Sequence, residues 1–522
     1  MSRQQIEQGI ETLVRLGLVE DVIKGSLRML SRSVRDQSDM SCTSLSLTPP
    51  DGPERRPLTP AGASLVRRCA RLKKLELSSR MRGRETQAIL SAAGSCLSEL
   101  IIDVAFPQLV ETDTGSLLSG LKALESLTVN CIAYDRSDDE TFTNWISYRS
   151  AVQAMAGNYR TWFAEVIPGI VESACVIPLR ELTLKLDDGA GSGYDKVTRS
   201  LAVLLSSVAP TLRRFSYTGP RPGSVARVVA ESPAALAFLT LAINKVEDDL
   251  PEEQYEAVAD AIFELGGRRS LTKLELLGTF HDVGLLARGI KSHKCLVSLC
   301  VGMHMVERSI HIDDVTRDCH WIVLSDVAKL GAALCSLPRL RELSLIDLGL
   351  IHPPPPEIVS AIAVPTLTSL TLNNLSEMHT GTIPINLAPL TALTGLKELC
   401  ITDTDGNSPN LLAGLTAMTQ LTKLDLSGNI LSSDAFCALA RSLRTSCSSL
   451  HELLMAGVEI DFDTADMLAA ALRNTPARLR IFDITRSGDV ATTAILAHTA
   501  KTFHPGCKVI AEADILSLMG YA

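Results

Sequence analysis

Apolar residues recur along this chain as Leu-x-x-(Leu/Phe)-x-(apolar), fourteen times between Leu72 and Ile484. The first copies are Leu72-Leu75-Leu77, Leu97-Leu100-Ile102 and Leu124-Leu127-Val129. The last are Leu421-Leu424-Leu426, Leu450-Leu453-Met455 and Leu479-Phe482-Ile484. Most steps between successive first leucines are nearly equal, from the step Leu212 to Leu236 at the short end to Leu450 to Leu479 at the long end. Such constancy marks a structural repeat and not merely a leucine-rich composition.

Within each copy the fourth and sixth positions alternate with polar ones, the two-residue period of a half-buried strand. Between copies the apolar spacing changes to three and four, as in Phe436-Leu439-Leu443, Met467-Leu468-Leu472 and Val258-Ile262-Phe263, which predicts amphipathic helices. One short strand and one helix cannot enclose a core, so neighbouring units must stack and bury the leucines between a strand layer and a helix layer. The pattern predicts an α/β solenoid, a curved horseshoe with parallel strands on its concave side and helices on its convex side.

The best copy, Leu421-x-x-Leu424-x-Leu426-x-x-Asn429-x-Leu431, is followed by a helical stretch from Ser433 to Ser442, and Leu236 to Val246 with Asn244 is nearly as regular. On these residues the chain resembles the leucine-rich-repeat family, and its longer units resemble the ribonuclease-inhibitor-like class. The chain departs from the family at the ninth position, where Asn or Cys would satisfy backbone groups at the turn and where Ile132, Pro220, Leu348 and Val458 stand instead. The resemblance implies a non-enzymatic protein-interaction scaffold working through the concave face and loop edges. Two other uses of the fold are a regulator of a small GTPase, where a loop arginine would stabilise phosphoryl-transfer charge, and the substrate-recognition subunit of a ubiquitin ligase.

Length fits this reading, because a single core seldom extends past about 250 to 300 residues whereas a solenoid grows by adding units. The array is expected over residues 61–487 as about 14 units. A helical cap or docking element is expected over 1–32, a Ser/Pro-rich linker over 33–60, and a final repeat or cap over 488–522. No run is long enough to span a membrane, and the start lacks the apolar centre of a secretory signal. Thirteen cysteines, scattered and without a Cys-x-x-Cys pair, predict reduced thiols and a cytoplasmic location, where the triplet Asn374-Leu375-Ser376 is chemically idle.

Two steps are long. The step from Leu124 to Leu179 carries Trp145, Tyr148, Tyr159, Trp162 and Phe163, a close cluster in a chain only 4% aromatic. A helix packed on the array is expected there, with an exposed aromatic hot spot as the alternative. The step from Leu296 to Leu340 holds His304, His311, Cys319, His320 and Trp321, a spacing that matches no standard metal-ligand pattern. Gly189 to Gly193 lacks the spacing of a phosphate-binding loop, His281-Asp282 joins no catalytic set, and Pro353 to Pro356 reads as a stiffened loop. No catalytic residue, metal or cofactor is expected.

Charge is uneven. Arg67, Arg68, Arg71, Lys73, Lys74, Arg80, Arg82 and Arg84 face one acid, Glu76, for a local charge of +7. Because residues 1–66 balance and the whole chain carries −9, residues 85–522 carry −16. The basic stretch is a solvated face or a contact for acidic protein or anionic membrane; without interleaved aromatics it is unsuited to nucleic acid. The third and fifth positions of each copy point away from the core. They nominate Glu181, Thr183, Glu342, Ser344, Thr371, Glu398, Lys423 and Asp425 as contacts for a protein partner, on a face whose acidic and hydroxyl character suits a surface of modest basic charge.

Overall fold

The computed structural model describes residues 42–47, 59–77, 83–105, 114–132, 163–186, 194–243, 252–278, 283–302, 324–346, 356–373, 388–403, 412, 414–445 and 447–512. The chain divides into two compact units, Met1–Leu250 and Pro251–Ala522.

In the first unit seven strands pair in parallel and in chain order: β1 (Ser44–Leu47), β2 (Lys74–Leu77), β3 (Glu99–Ala105), β4 (Ser126–Ile132), β5 (Glu181–Lys185), β6 (Arg214–Thr218) and β7 (Phe238–Ala242). Helices α1 (Thr59–Arg68), α2 (Gly83–Ala93), α3 (163–173), α4 (Tyr194–Val208) and α5 (Pro222–Glu231) alternate with them. The second unit opens on α6 (Glu252–Gly266) and continues with β8 (Lys273–Leu277), β9 (Ser298–Gly302), β10 (Glu342–Ile346), β11 (Ser369–Asn373), β12 (Glu398–Thr402), β13 (Lys423–Asp425), β14 (Glu452–Leu454), β15 (Ile481–Asp483) and β16 (Lys508–Ile510). Its remaining helices are α7 (Val283–Ile290), α8 (Leu324–Cys335), α9 (Pro356–Ile362), α10 (Ser433–Thr445), α11 (Phe462–Asn474) and α12 (Val490–Phe503).

Register matches copy to copy. Leu182 pairs with Phe215 and Phe215 with Leu239; in the second unit Leu343, Leu370, Leu399, Leu424 and Leu453 form one unbroken ladder. These side chains are buried while their strand neighbours are partly or fully exposed, so parity along the strand divides core from solvent. First-position leucines such as Leu179, Leu212, Leu396 and Leu421 are fully buried as well. Each buried Leu or Phe contributes about 1.5 to 3 kcal/mol, which stacking alone makes available to so short a unit.

Two strands lie outside the fourteen leucine copies. β1 falls within the segment expected to be a linker and pairs residue for residue with β2, because Cys42 occupies the place of the first leucine and is buried, behaving as a small hydrophobe. β16 pairs with β15 although Gly506 and Ala511 stand at its first and sixth positions. Helix is not universal either. Thr114–Ser116, Ala388–Ala392 and Leu415–Ala417 are 3-10 turns, shorter connections that suit the regular steps in which they lie.

The long step from Leu124 to Leu179 adds no strand to the ladder, since β4 pairs directly with β5. It supplies α3, on which Phe163 is fully buried with its ring centroid 5.0 Å from that of Tyr194. Helix α3 comes so close to the turn at Thr114 that a Cβ on Gly169 would meet Thr114 Oγ1 at 2.0 Å. Trp145, Tyr148, Tyr159 and Trp162 lie outside the described residues, as do residues 1–32, the Gly189 to Gly193 run, His281-Asp282, Pro353 to Pro355 and the Asn374-Leu375-Ser376 triplet. The long step from Leu296 to Leu340 likewise joins strands that pair directly, β9 and β10; His304, His311, Cys319, His320 and Trp321 lie outside the description. Phe263, assigned by spacing to the apolar stripe of α6, is 44% exposed, whereas Val258 and Ile262 are buried.

At the best turn the Asn429 side chain is buried and its Nδ2 donates to the carbonyls of Leu426 at 2.7 Å and of Ile401, in the preceding unit, at 2.5 Å. Where Val458 takes the ninth place, the next unit compensates: the buried Ser487 hydroxyl donates to the carbonyl of Met455. Helix ends are served the same way. The last carbonyls of a helix have no partner within it, and here the following unit supplies one: Thr475 Oγ1 donates to Leu443 O at 2.6 Å and His504 Nε2 to Leu472 O at 3.1 Å, while His293 Nε2 donates to Ile262 O, one turn from the end of α6, at 2.7 Å.

Burial, the larger influence, lowers the pKa of both His293 and His504, against the opposing pull of their carbonyl bonds. The unfolded chain therefore binds protons that the folded chain refuses, so this contribution to stability is complete above about pH 6.5 and is lost as pH falls from there toward the folded values. We expect the thermal midpoint to drop on acidification through that window. The double variant His293→Gln/His504→Gln, which keeps an amide donor and cannot titrate, should show a smaller drop by circular dichroism; an identical pH profile in the two proteins would refute the assignment.

Candidate functional site

The register gathers six of the eight nominated contacts on four adjacent strands of the second unit. Glu342, Ser369, Glu398 and Lys423 form one rank across β10 to β13, and Ser344, Thr371, Cys400 and Asp425 form the rank beside it. All lie at the outward-facing positions, with Glu342 and Glu398 exposed and the rest of intermediate exposure. Glu181 and Thr183 are in the first unit, on β5, in the equivalent outward places.

Local polar contacts hold the patch without closing it. Ser369 Oγ donates to Glu398 Oε2 at 3.0 Å, Cys400 Sγ to Asp425 Oδ2 at 3.5 Å, and Lys423 Nζ stands 4.0 Å from Glu452 Oε2. In the first unit Glu181 is ion-paired with Arg214 at 3.0 Å, and that guanidinium also lies 4.5 Å from the Phe238 ring centroid. Half-exposed pairs of this kind contribute at most about 1 kcal/mol, so a partner exchanges them for its own contacts at little cost.

Two thiols face outward here. Burial raises the pKa of Cys300, and burial together with the carboxylate of Asp425 pushes that of Cys400 up to about 12. A thiol attacks only as thiolate; at neutral pH Cys400 stays protonated and serves as a hydrogen-bond donor to Asp425. Its alkylation by iodoacetamide at neutral pH should run about a thousandfold slower than that of an unperturbed cysteine peptide, a rate that peptide mass spectrometry reads; comparable rates would contradict the assignment. Among the described residues no group of three or more His, Cys, Asp or Glu is arranged to hold a metal ion, and none of their helices is long and apolar enough to cross a membrane.

The eight bases of the first repeat are not gathered into one patch. Arg67 and Arg68 end α1, where they favour the negative end of its dipole; Arg71 and Lys73 are exposed on the turn before β2, and Arg84 is exposed at the start of α2. Lys74 points to the open sheet face, where its Nζ is 2.5 Å from Glu99 Oε1. Arg80 and Arg82 lie outside the described residues.

Arg71 and Lys73 belong to a different pattern, which reading the charges in chain order missed. Parallel pairing places every turn that leads into a strand on one edge of the sheet. In the second unit these strand-entry turns, from 267–272 to 504–507, carry nine Lys or Arg and no Asp or Glu. In the first unit the same turns carry Arg71, Lys73, Lys122, Arg180 and Arg213 with one acid, Glu125, which lies 3.9 Å from Arg180. Tallying charge by position within the copy, as at Arg341, Lys397 and Arg480 in the second place, exposes the row.

No protein-family model and no curated protein matches this sequence. Among solved structures it is similar to the TLR13–ssRNA13 complex at 14% identity and a TM-score of 0.38, over 91% of this chain and 62% of that one. The chain thus spans less than two thirds of that protein's length. It is similar to the leucine-rich repeat-containing protein LegL7 from Legionella pneumophila at 15% identity and a TM-score of 0.37, over 67% of this chain and 98% of the other. A third likeness, to the Rad7 and Elc1 complex in yeast, has 14% identity and a TM-score of 0.37, over 98% and 94% of the two chains. Independently of these likenesses, parallel strands paired copy to copy within each unit, leucine ladders facing the helices and the asparagine clasp at the turn give the chain a leucine-rich-repeat fold.

Proposed function

We propose that the chain is a non-enzymatic protein-interaction scaffold whose contact surface is the open sheet face of the second unit, centred on β10 to β13. The observation that carries this reading is the patch itself: two ranks of outward polar side chains on rigid, hydrogen-bonded strands, preformed and carrying little internal compensation. Glu342, Glu398 and Asp425 outweigh Lys423, and Glu452 and Asp483 continue the acidic character onto β14 and β15. Such a face fits a folded protein surface with basic residues at its centre, since complementary charge speeds encounter and selects register. A preformed surface also avoids the ordering cost that flexible binders incur.

Reversing charge at Glu342→Lys and Glu398→Lys should weaken partner binding about tenfold or more. Quantitative affinity capture from native extract reads this, with Asp466→Lys on the exposed side of α11 as the control. Proteins retained by the control and lost from the double variant are the expected result. If both variants retain the same set, the sheet face is not the contact surface.

A further inference from the structure

The strand-entry edge of the second unit is built for an anionic surface, and we propose that it docks on membranes containing acidic phospholipids. Within residues 251–522 acids outnumber bases by 30 to 21, yet the strand-entry turns hold only bases. Lys291, Lys294, Arg339, Arg341, Arg478 and Arg480 are all exposed. Where these side chains are anchored, the partner is a neutral backbone carbonyl, as for Lys294 Nζ to Ser336 O at 2.9 Å and Arg341 Nη1 to Thr366 O at 2.9 Å. Those bonds fix the position of the cation and leave its charge in place. Helix dipoles account for bases in last turns such as Arg444 and Arg473, but Arg341, Lys397 and Arg480 immediately precede strands and need another reason.

The bases stand on the turns into β8, β9, β10, β12 and β15, and at a strand spacing of about 4.8 Å the row is about 34 Å long. Two partly exposed phenylalanines flank it on the last turns of the first and last helices of the unit: Phe263, 44% exposed with Lys291 Nζ 5.4 Å from its ring centroid, and Phe503, 48% exposed. Bases in a line with aromatic rings at its ends match a lipid headgroup layer, where basic residues attract acidic lipids and aromatic rings settle at the interface. A protein interface would instead centre on a desolvated anchor, and single-stranded nucleic acid would call for aromatics interleaved with the bases. Lipids diffuse to meet fixed cations, so an all-basic edge without a pocket suits them. This edge is distinct from the proposed sheet face, and one surface can fail without the other.

Co-sedimentation of the full chain with vesicles tests the proposal. Binding to phosphatidylcholine vesicles containing phosphatidylserine, weakened by added salt and absent from pure phosphatidylcholine, is expected. Two separate variants, Arg339→Ser/Arg341→Ser and Arg478→Ser/Arg480→Ser, should each reduce binding about tenfold or more, while Asp466→Asn, on the exposed side of α11, leaves it unchanged. Using two variants guards against one that perturbs folding, and matching melting temperatures confirm the comparison. Equal binding to both vesicle types, no binding, or full binding by both arginine variants would overturn the proposal. So would tighter binding of a single-stranded oligonucleotide than of the acidic vesicles at the same salt concentration.

Discussion

Replacing Phe215 by alanine is expected to destabilise the first unit by about 3 to 5 kcal/mol. Phe215 takes the fourth place of its copy, where leucine is the rule, and is fully buried between Leu182 and Leu239 of the neighbouring strands. The cost has two parts. Apolar area returns to water, and the cavity left behind cannot collapse, because the backbone on both sides is pinned by ladder hydrogen bonds. Chemical denaturation followed by far-UV circular dichroism measures it, and Thr183→Ala, an outward neighbour on β5, should stay within about 0.5 kcal/mol of the parent. A loss for Phe215→Ala below about 1 kcal/mol would mean that the ladder is not the core.

The second large effect is expected at Asn429. Alanine there removes the donor shared by the Leu426 and Ile401 carbonyls and strands them in a buried turn, a loss on the order of 2 to 4 kcal/mol. The effect reaches beyond one unit, because Ile401 belongs to the strand before: the side chain fastens two units together. Asn429→Ala should therefore lower the unfolding midpoint of the second unit and raise amide hydrogen exchange at both turns. Faster exchange confined to residues 426–431 would show that the bond to Ile401 carries nothing. The Ser487 clasp predicts the same kind of coupling two units further, at smaller magnitude, since a hydroxyl donates one bond where an amide donates two.

These two residues differ from others in how visible they are before folding. Phe215 is legible from spacing alone, and so is Asn429, at the ninth place of the most regular copy. Ser487 stands at the ninth place of its own copy too, but a serine there is not the family's Asn or Cys, and only the structure shows that its hydroxyl reaches the Met455 carbonyl of the preceding unit. Cys42 is similarly hidden. A leucine template passes over it, and with it the strand Ser44–Leu47, yet a thiol fills the first-position pocket because the neighbouring unit has already formed the rest of that pocket.

The nominated contacts show the same division. Parity determined that Glu342, Glu398 and Asp425 face away from the core, and that Leu343, Leu399 and Leu424 face into it, because a strand has only two sides and the leucines must take the dry one. Repeat length determined that strand and helix layers stack into a solenoid. What only the tertiary structure decided is which of these residues become neighbours. Parallel register carries Glu342, Glu398 and Lys423, which stand in separate copies far apart along the chain, into a single rank on four strands. It separates Lys74 from Arg71 by a change of face, and collects Lys291, Arg339, Arg341 and Arg480 onto one edge. Charge read along the chain averages over sheet face, edge and helix, which alternate every few residues. The fold sorts them because each surface is assembled from one position of every copy.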